Sequence, residues 1–127
     1  MHHVVVIALE KKFEILTEEI KAVLKTALSV YKMKNKALEV YIVPNRTMKK
    51  NVLAYPAPKG FPRPDISGEF LGEIYINPNY IKQKKEDFFY MLIHGFLHLL
   101  GYDHQKKDDT ITMEQEERKL LKIIRKI

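Results

Sequence analysis

The stretch DFFYMLIHGFLHLLGYDH, residues 87–104, decides how the rest of the chain is arranged. Its first fourteen residues are apolar nearly all round except at His94 and His98, which predicts a helix over 87–100 in the middle of the core. His94 and His98 stand one turn apart on one face, so both imidazoles can point at a single atom. Gly101 offers the left-handed residue that ends a helix, and the reversal it permits can bring His104 to the same point. Three imidazoles around an open fourth position are how a protein holds a catalytic zinc ion. The competing reading makes each of the three a packed or surface side chain with no shared role.

Residues 3–9 are continuously apolar after His3 and mostly β-branched, which predicts a strand buried on both faces. His2 and His3, at its start, read as exposed terminal residues. Thr17 is the expected N-cap of a helix reaching about Tyr31, with Ile20, Val23, Leu24, Ala27, Leu28 and Tyr31 on one stripe. Further strands are expected at 37–43, 51–56 and 71–78, with a Pro- and Gly-rich surface loop over 56–68. After a polar link at 106–109, a last helix runs from about Thr110, acidic early and basic late as the helix dipole favours. Met113, Leu120, Leu121, Ile124 and Ile127 form its buried stripe. The expected fold is α+β: a single domain over 1–127, with one four-stranded mixed sheet, four to five helices and a zincin-like three-histidine site on the central helix.

Composition narrows the chemistry. With 127 residues and 46% apolar content, the chain can bury one core. It has no cysteine, so disulfides and thiolate ligands are excluded and a metal must be held by nitrogen and oxygen. No apolar run approaches the roughly 20 residues that span a bilayer, and no leader pattern is evident, so a soluble cytoplasmic protein with no membrane partner is expected. Of the net +6 charge, residues 1–64 carry 12 basic and 5 acidic side chains, whereas residues 65–127 carry 10 and 11. A basic N-terminal half suits a polyanion such as RNA, or is simply a solvated lysine-rich face.

Three neutral imidazoles would leave a zinc ion its full charge, which favours ionisation of bound water and attracts anions such as phosphodiesters. Asp103 could orient a ligand, carry a proton, or merely cap a turn. The spacing H-G-x-x-H-x-x-G-x-x-H also matches the metzincin protease pattern with one change: Gly95 stands where those enzymes place their glutamate base. That change argues against ordinary peptide hydrolysis. The glycine itself serves either packing or substrate clearance.

The run HGFLHLLGYDH at 94–104 resembles the signature of the YbeY family of bacterial metal-dependent endoribonucleases, which act in ribosomal RNA maturation and ribosome quality control. NVLAYP at 51–56 and LGEIYI at 71–76 are similar to two strand motifs of the same family. The resemblance implies that His94, His98 and His104 hold one Zn2+ per chain, and that the 71–76 strand borders the cleft. It also implies that the substrate is RNA, ribosomal RNA and the small ribosomal subunit above all, and not DNA. The family carries a functional arginine in a segment that is several residues shorter here. Arg46 is the expected phosphate-contacting residue, with Lys49 second, and both can equally be ordinary surface charges. Two alternatives of other classes are a ribosome-binding assembly factor with a structural metal, and a metallopeptidase lacking the usual base.

Overall fold

The computed structural model describes residues 2–58, 63–65, 68–102 and 107–125. Its elements are β1 (His3–Ala8), a 3-10 helix (Lys11–Leu16), α1 (Thr17–Val30), β2 (Lys36–Ile42), β3 (Val52–Pro56), β4 (Glu69–Ile76), α2 (Pro78–Gln83), α3 (Phe88–Leu99) and α4 (Lys107–Ile124). The four strands form one mixed sheet in the order β1-β2-β4-β3. β1, β2 and β4 run parallel, and β3 closes one edge antiparallel to β4, with Val52 opposite Ile76 and Ala54 opposite Ile74. This is the expected α+β architecture with four strands and four α-helices.

Alternation along the strands shows which face carries the core. Leu38, Val40 and Ile42 of β2 and Ile74 and Ile76 of β4 are fully buried. Their neighbours Glu39, Tyr41, Glu73 and Tyr75 project from the other face and are partly exposed. Tyr41 and Tyr75, opposite each other across the parallel pair, stack at 5.0 Å between ring centroids, and Tyr55 meets Tyr75 edge-on at 5.6 Å. The helices pack on the first face: Ile20, Leu24 and Leu28 of α1, Leu92, Phe96 and Leu97 of α3, and Met113 and Leu120 of α4 join the strand residues in one cluster.

Several expectations need correction. β1 is not buried on both faces: Val5 and Ile7 are 42% and 41% exposed, because β1 is an edge strand with helices on one side only. Thr17 does not cap α1 from outside. The 3-10 helix feeds directly into α1, and the Thr17 hydroxyl donates back to the Glu14 carbonyl at 2.8 Å. The strand expected over 71–78 ends at Ile76, and Asn77-Pro78 start a helix: Asn77 caps α2 by accepting from the Tyr80 N–H at 3.0 Å, and Pro78 takes the first turn, where its missing donor costs nothing. α4 begins three residues before the expected Thr110. The expected loop at 56–68 and the Ile127 end of the α4 stripe lie partly or wholly outside the described residues.

Candidate metal centre

α3 begins at Asp87, whose carboxylate accepts from the Tyr90 N–H at 3.1 Å, and it stops at Gly101 as the sequence predicts. Gly101 has φ +99°, a region that L side chains rarely occupy. The Gly101 N–H donates to the His98 carbonyl and the Tyr102 N–H to the Leu97 carbonyl, both at 3.1 Å. These two bonds make a Schellman stop, which satisfies the last carbonyls while turning the chain back.

Between residues 92 and 99 every side chain or glycine is buried except the two histidines. Gly95 lies against the sheet, where an added Cβ would stand 3.0 Å from Val52 Cγ2 and 3.3 Å from Ile74 Cγ2. Of the two roles left open for this glycine, the geometry assigns packing: it lets α3 settle closely onto β3 and β4. A glutamate at this position would enter the sheet and not the histidine flank. Phe96 turns toward Tyr31 of α1, with ring centroids 6.3 Å apart. At about 100° per residue, His94 and His98 occupy the opposite flank of α3.

On that flank the two rings converge, with His94 Nε2 and His98 Nε2 3.1 Å apart. Two nitrogens bound to one tetrahedral zinc at about 2.0–2.1 Å would lie about 3.3 Å apart, so this pair needs little adjustment to share an ion. His94 is further fixed from behind. Its Nδ1 lies 2.6 Å from Glu117 Oε2, and the Tyr90 hydroxyl donates to Glu117 Oε1 at 2.9 Å. Glu117 is only 1% exposed. Burial first, and then the bond to Glu117, push the Tyr90 phenol up to about 12, so it remains a donor through the neutral range.

His104 and Asp103 lie outside the described residues. Among the described residues, no group of three metal-binding side chains is assembled, so the structure brings together two of the three expected ligands. Beside the last turn of α3, Pro56, Leu71, Leu99, Leu100 and Gly101 line a cleft of about 510 Å³, which places the start of β4 along it. The loop after β2 carries the two cationic candidates, and both are exposed. The structure pairs Arg46 with Glu10 at 3.2 Å, across the carboxyl end of β1. Asn77 anchors that loop by donating to Asn45 Oδ1 at 2.9 Å and to the Met48 carbonyl at 2.6 Å.

Glu117 was not anticipated as a site residue, because the acidic start of α4 reads as a dipole pattern. A signal was nonetheless present. Met113, Glu117, Leu120 and Ile124 recur at helical spacing, so a carboxylate occupies a position on the buried stripe.

A sequence model described as Endoribonuclease YbeY matches residues 6–125. Curated relatives of that name include one from Wolbachia of Drosophila simulans, 44% identical over 48% of this chain and 47% of its own length. Another is from Nitrobacter hamburgensis, 40% identical over 56% and 43% respectively. The chain thus spans about half the length of the curated relatives it matches. A solution structure of a Thermotoga maritima protein shares the fold with a TM-score of 0.58 at 22% identity, covering 95% of this chain and 88% of its own.

Proposed function

The chain belongs to the YbeY family of endoribonucleases, and from that premise we propose that it is a zinc-dependent endoribonuclease selective for single-stranded RNA, acting on ribosomal RNA at the small ribosomal subunit in the cytoplasm. The observation that carries the reading is the convergence of His94 and His98 Nε2 at 3.1 Å, on a half-buried flank of α3. His104 completes the proposed ligand set. When bound, zinc would supply a Lewis acid and a bound water whose pKa falls to about 7.

The chain's own side chains do the rest. With zinc bound, His94 and His98 would each turn an Nε2 lone pair to one point. The cleft along Leu71 and Leu99–Gly101 gives an unpaired strand somewhere to lie. Arg46 is the proposed phosphate contact, with Lys49 beside it on the same loop. Its present pairing with half-buried Glu10 is no obstacle, since Arg46 itself is exposed, an ion pair of this kind contributes only about 0–1 kcal/mol, and a phosphate can displace it. The role proposed for Asp103 is a hydrogen bond to a ligand or proton transfer. The packed position of Gly95 favours this nuclease reading over a peptidase, because a glutamate there would crowd the side chains of Val52 and Ile74.

The test is zinc stoichiometry by elemental analysis, followed by incubation of the loaded protein with an RNA in unpaired and duplex forms. One zinc per chain and cleavage of the unpaired form alone are expected. Stoichiometric zinc without cleavage of either form would overturn the nuclease assignment and leave a metal-stabilised ribosome-binding factor.

A further inference from the structure

Glu117 sits where a leucine or methionine would serve the core better. A buried carboxylate pays a desolvation cost that ordinary packing does not return. Both of its oxygens are nonetheless directed. The Tyr90 hydroxyl holds Oε1 at 2.9 Å, and His94 Nδ1 meets Oε2 at 2.6 Å, across 23 residues of sequence and from a different helix. A carboxylate accepts hydrogen bonds only, so this contact places the His94 proton on Nδ1 and leaves the Nε2 lone pair directed at His98.

We propose that Glu117, held by Tyr90, is a positioning residue that fixes the His94 tautomer and ring orientation and so prepares Nε2 as a metal ligand before the ion arrives. The inference rests on the zinc reading of the histidine pair and extends it to α4. The negative charge of Glu117 also makes the imidazole a stronger donor, and a dication on the far side of the ring offsets the buried charge. Tyr90 keeps the carboxylate from rotating away, and its elevated phenol preserves that contact throughout the working pH range.

The test has two parts. In metal-free parent protein, long-range 1H–15N NMR of the histidine rings should show His94 as the Nδ1–H tautomer; a dominant Nε2–H form overturns the proposal. Zinc affinity is then measured by chelator competition for the parent, Glu117→Gln and Tyr90→Phe. The amide of Glu117→Gln can donate to Nδ1 and force the proton onto Nε2, so affinity should fall by about 10–100-fold, with Tyr90→Phe showing a smaller loss. Metal-free thermal stability of Glu117→Gln should match or exceed that of the parent, because a buried charge is removed. Equal zinc affinity in the parent and Glu117→Gln overturns the positioning role alone. A parent that takes up no zinc overturns this role and the zinc reading together.

Discussion

Gly95→Ala sets two effects of opposite sign against each other. In a helix interior alanine is favoured over glycine by about 0.5–1 kcal/mol, so an open site would gain stability. Here the new methyl would stand 3.0 Å from Val52 Cγ2 and 3.3 Å from Ile74 Cγ2, inside the roughly 3.5–4.0 Å optimum for carbon contacts. Ile74 is fully buried in the central part of the sheet and cannot retreat, whereas Val52 lies on the edge strand and is only partly buried. Overpacking of this kind costs about 1–3 kcal/mol. The net expectation is a loss of about 1 kcal/mol, read as a lower urea midpoint at unchanged slope and a melting temperature lower by roughly 3–6 °C. Adding Val52→Ala removes the tighter of the two contacts, so Gly95→Ala should cost less in that background, with a coupling of about 0.5–1 kcal/mol. A Gly95→Ala protein more stable than the parent by 0.5 kcal/mol or more, at about the propensity gain, would refute the assignment of Gly95 to packing.

Three other outcomes follow from the same structure. Asn77→Ala should destabilise by about 2–3 kcal/mol in denaturant melts, since a fully buried side chain loses both its cap to Tyr80 and its donors to Asn45 and Met48. Tyr90 has a folded-state pKa near 12 against about 10 unfolded, so its stabilisation is complete below pH 10 and disappears as the pH rises through 12. An absorbance titration of the tyrosines should therefore lose a step near pH 12 in Tyr90→Phe. Arg46→Ala should leave stability within about 0.5 kcal/mol of the parent while weakening RNA binding and flattening its salt dependence, as measured by fluorescence anisotropy.

Much of this architecture was legible because local and global signals agreed. The apolar run around His94 and His98 forced a core helix, and Gly101 stopped it through the left-handed turn that only glycine adopts easily. What escaped reading has physical reasons. The continuous apolar run of β1 does not reveal whether a second layer covers Val5 and Ile7, and none does among the described residues. The 3-10 helix at Lys11–Leu16 is held by single turns and lacks a periodic stripe. α2 is only six residues long, and its start at Asn77-Pro78 reads equally as a strand end. Glu117 was hidden because charge patterning along α4 explained it too readily. Its place on the buried stripe and its contact with His94 separate it from Glu114, which pairs with Arg118 at the surface, and from Glu116, which meets Lys119 and accepts from the Tyr31 hydroxyl.

In the proposed function the His94–His98 pair holds a metal at which RNA is cleaved. Its most direct test is the cleavage rate of an unpaired RNA by zinc-loaded parent protein beside His98→Ala, with folding of both checked by circular dichroism. The folded variant should lose cleavage by a factor on the order of 100 or more, because the metal site would keep only part of its ligands. A folded His98→Ala protein that cleaves within twofold of the parent would contradict the proposed function.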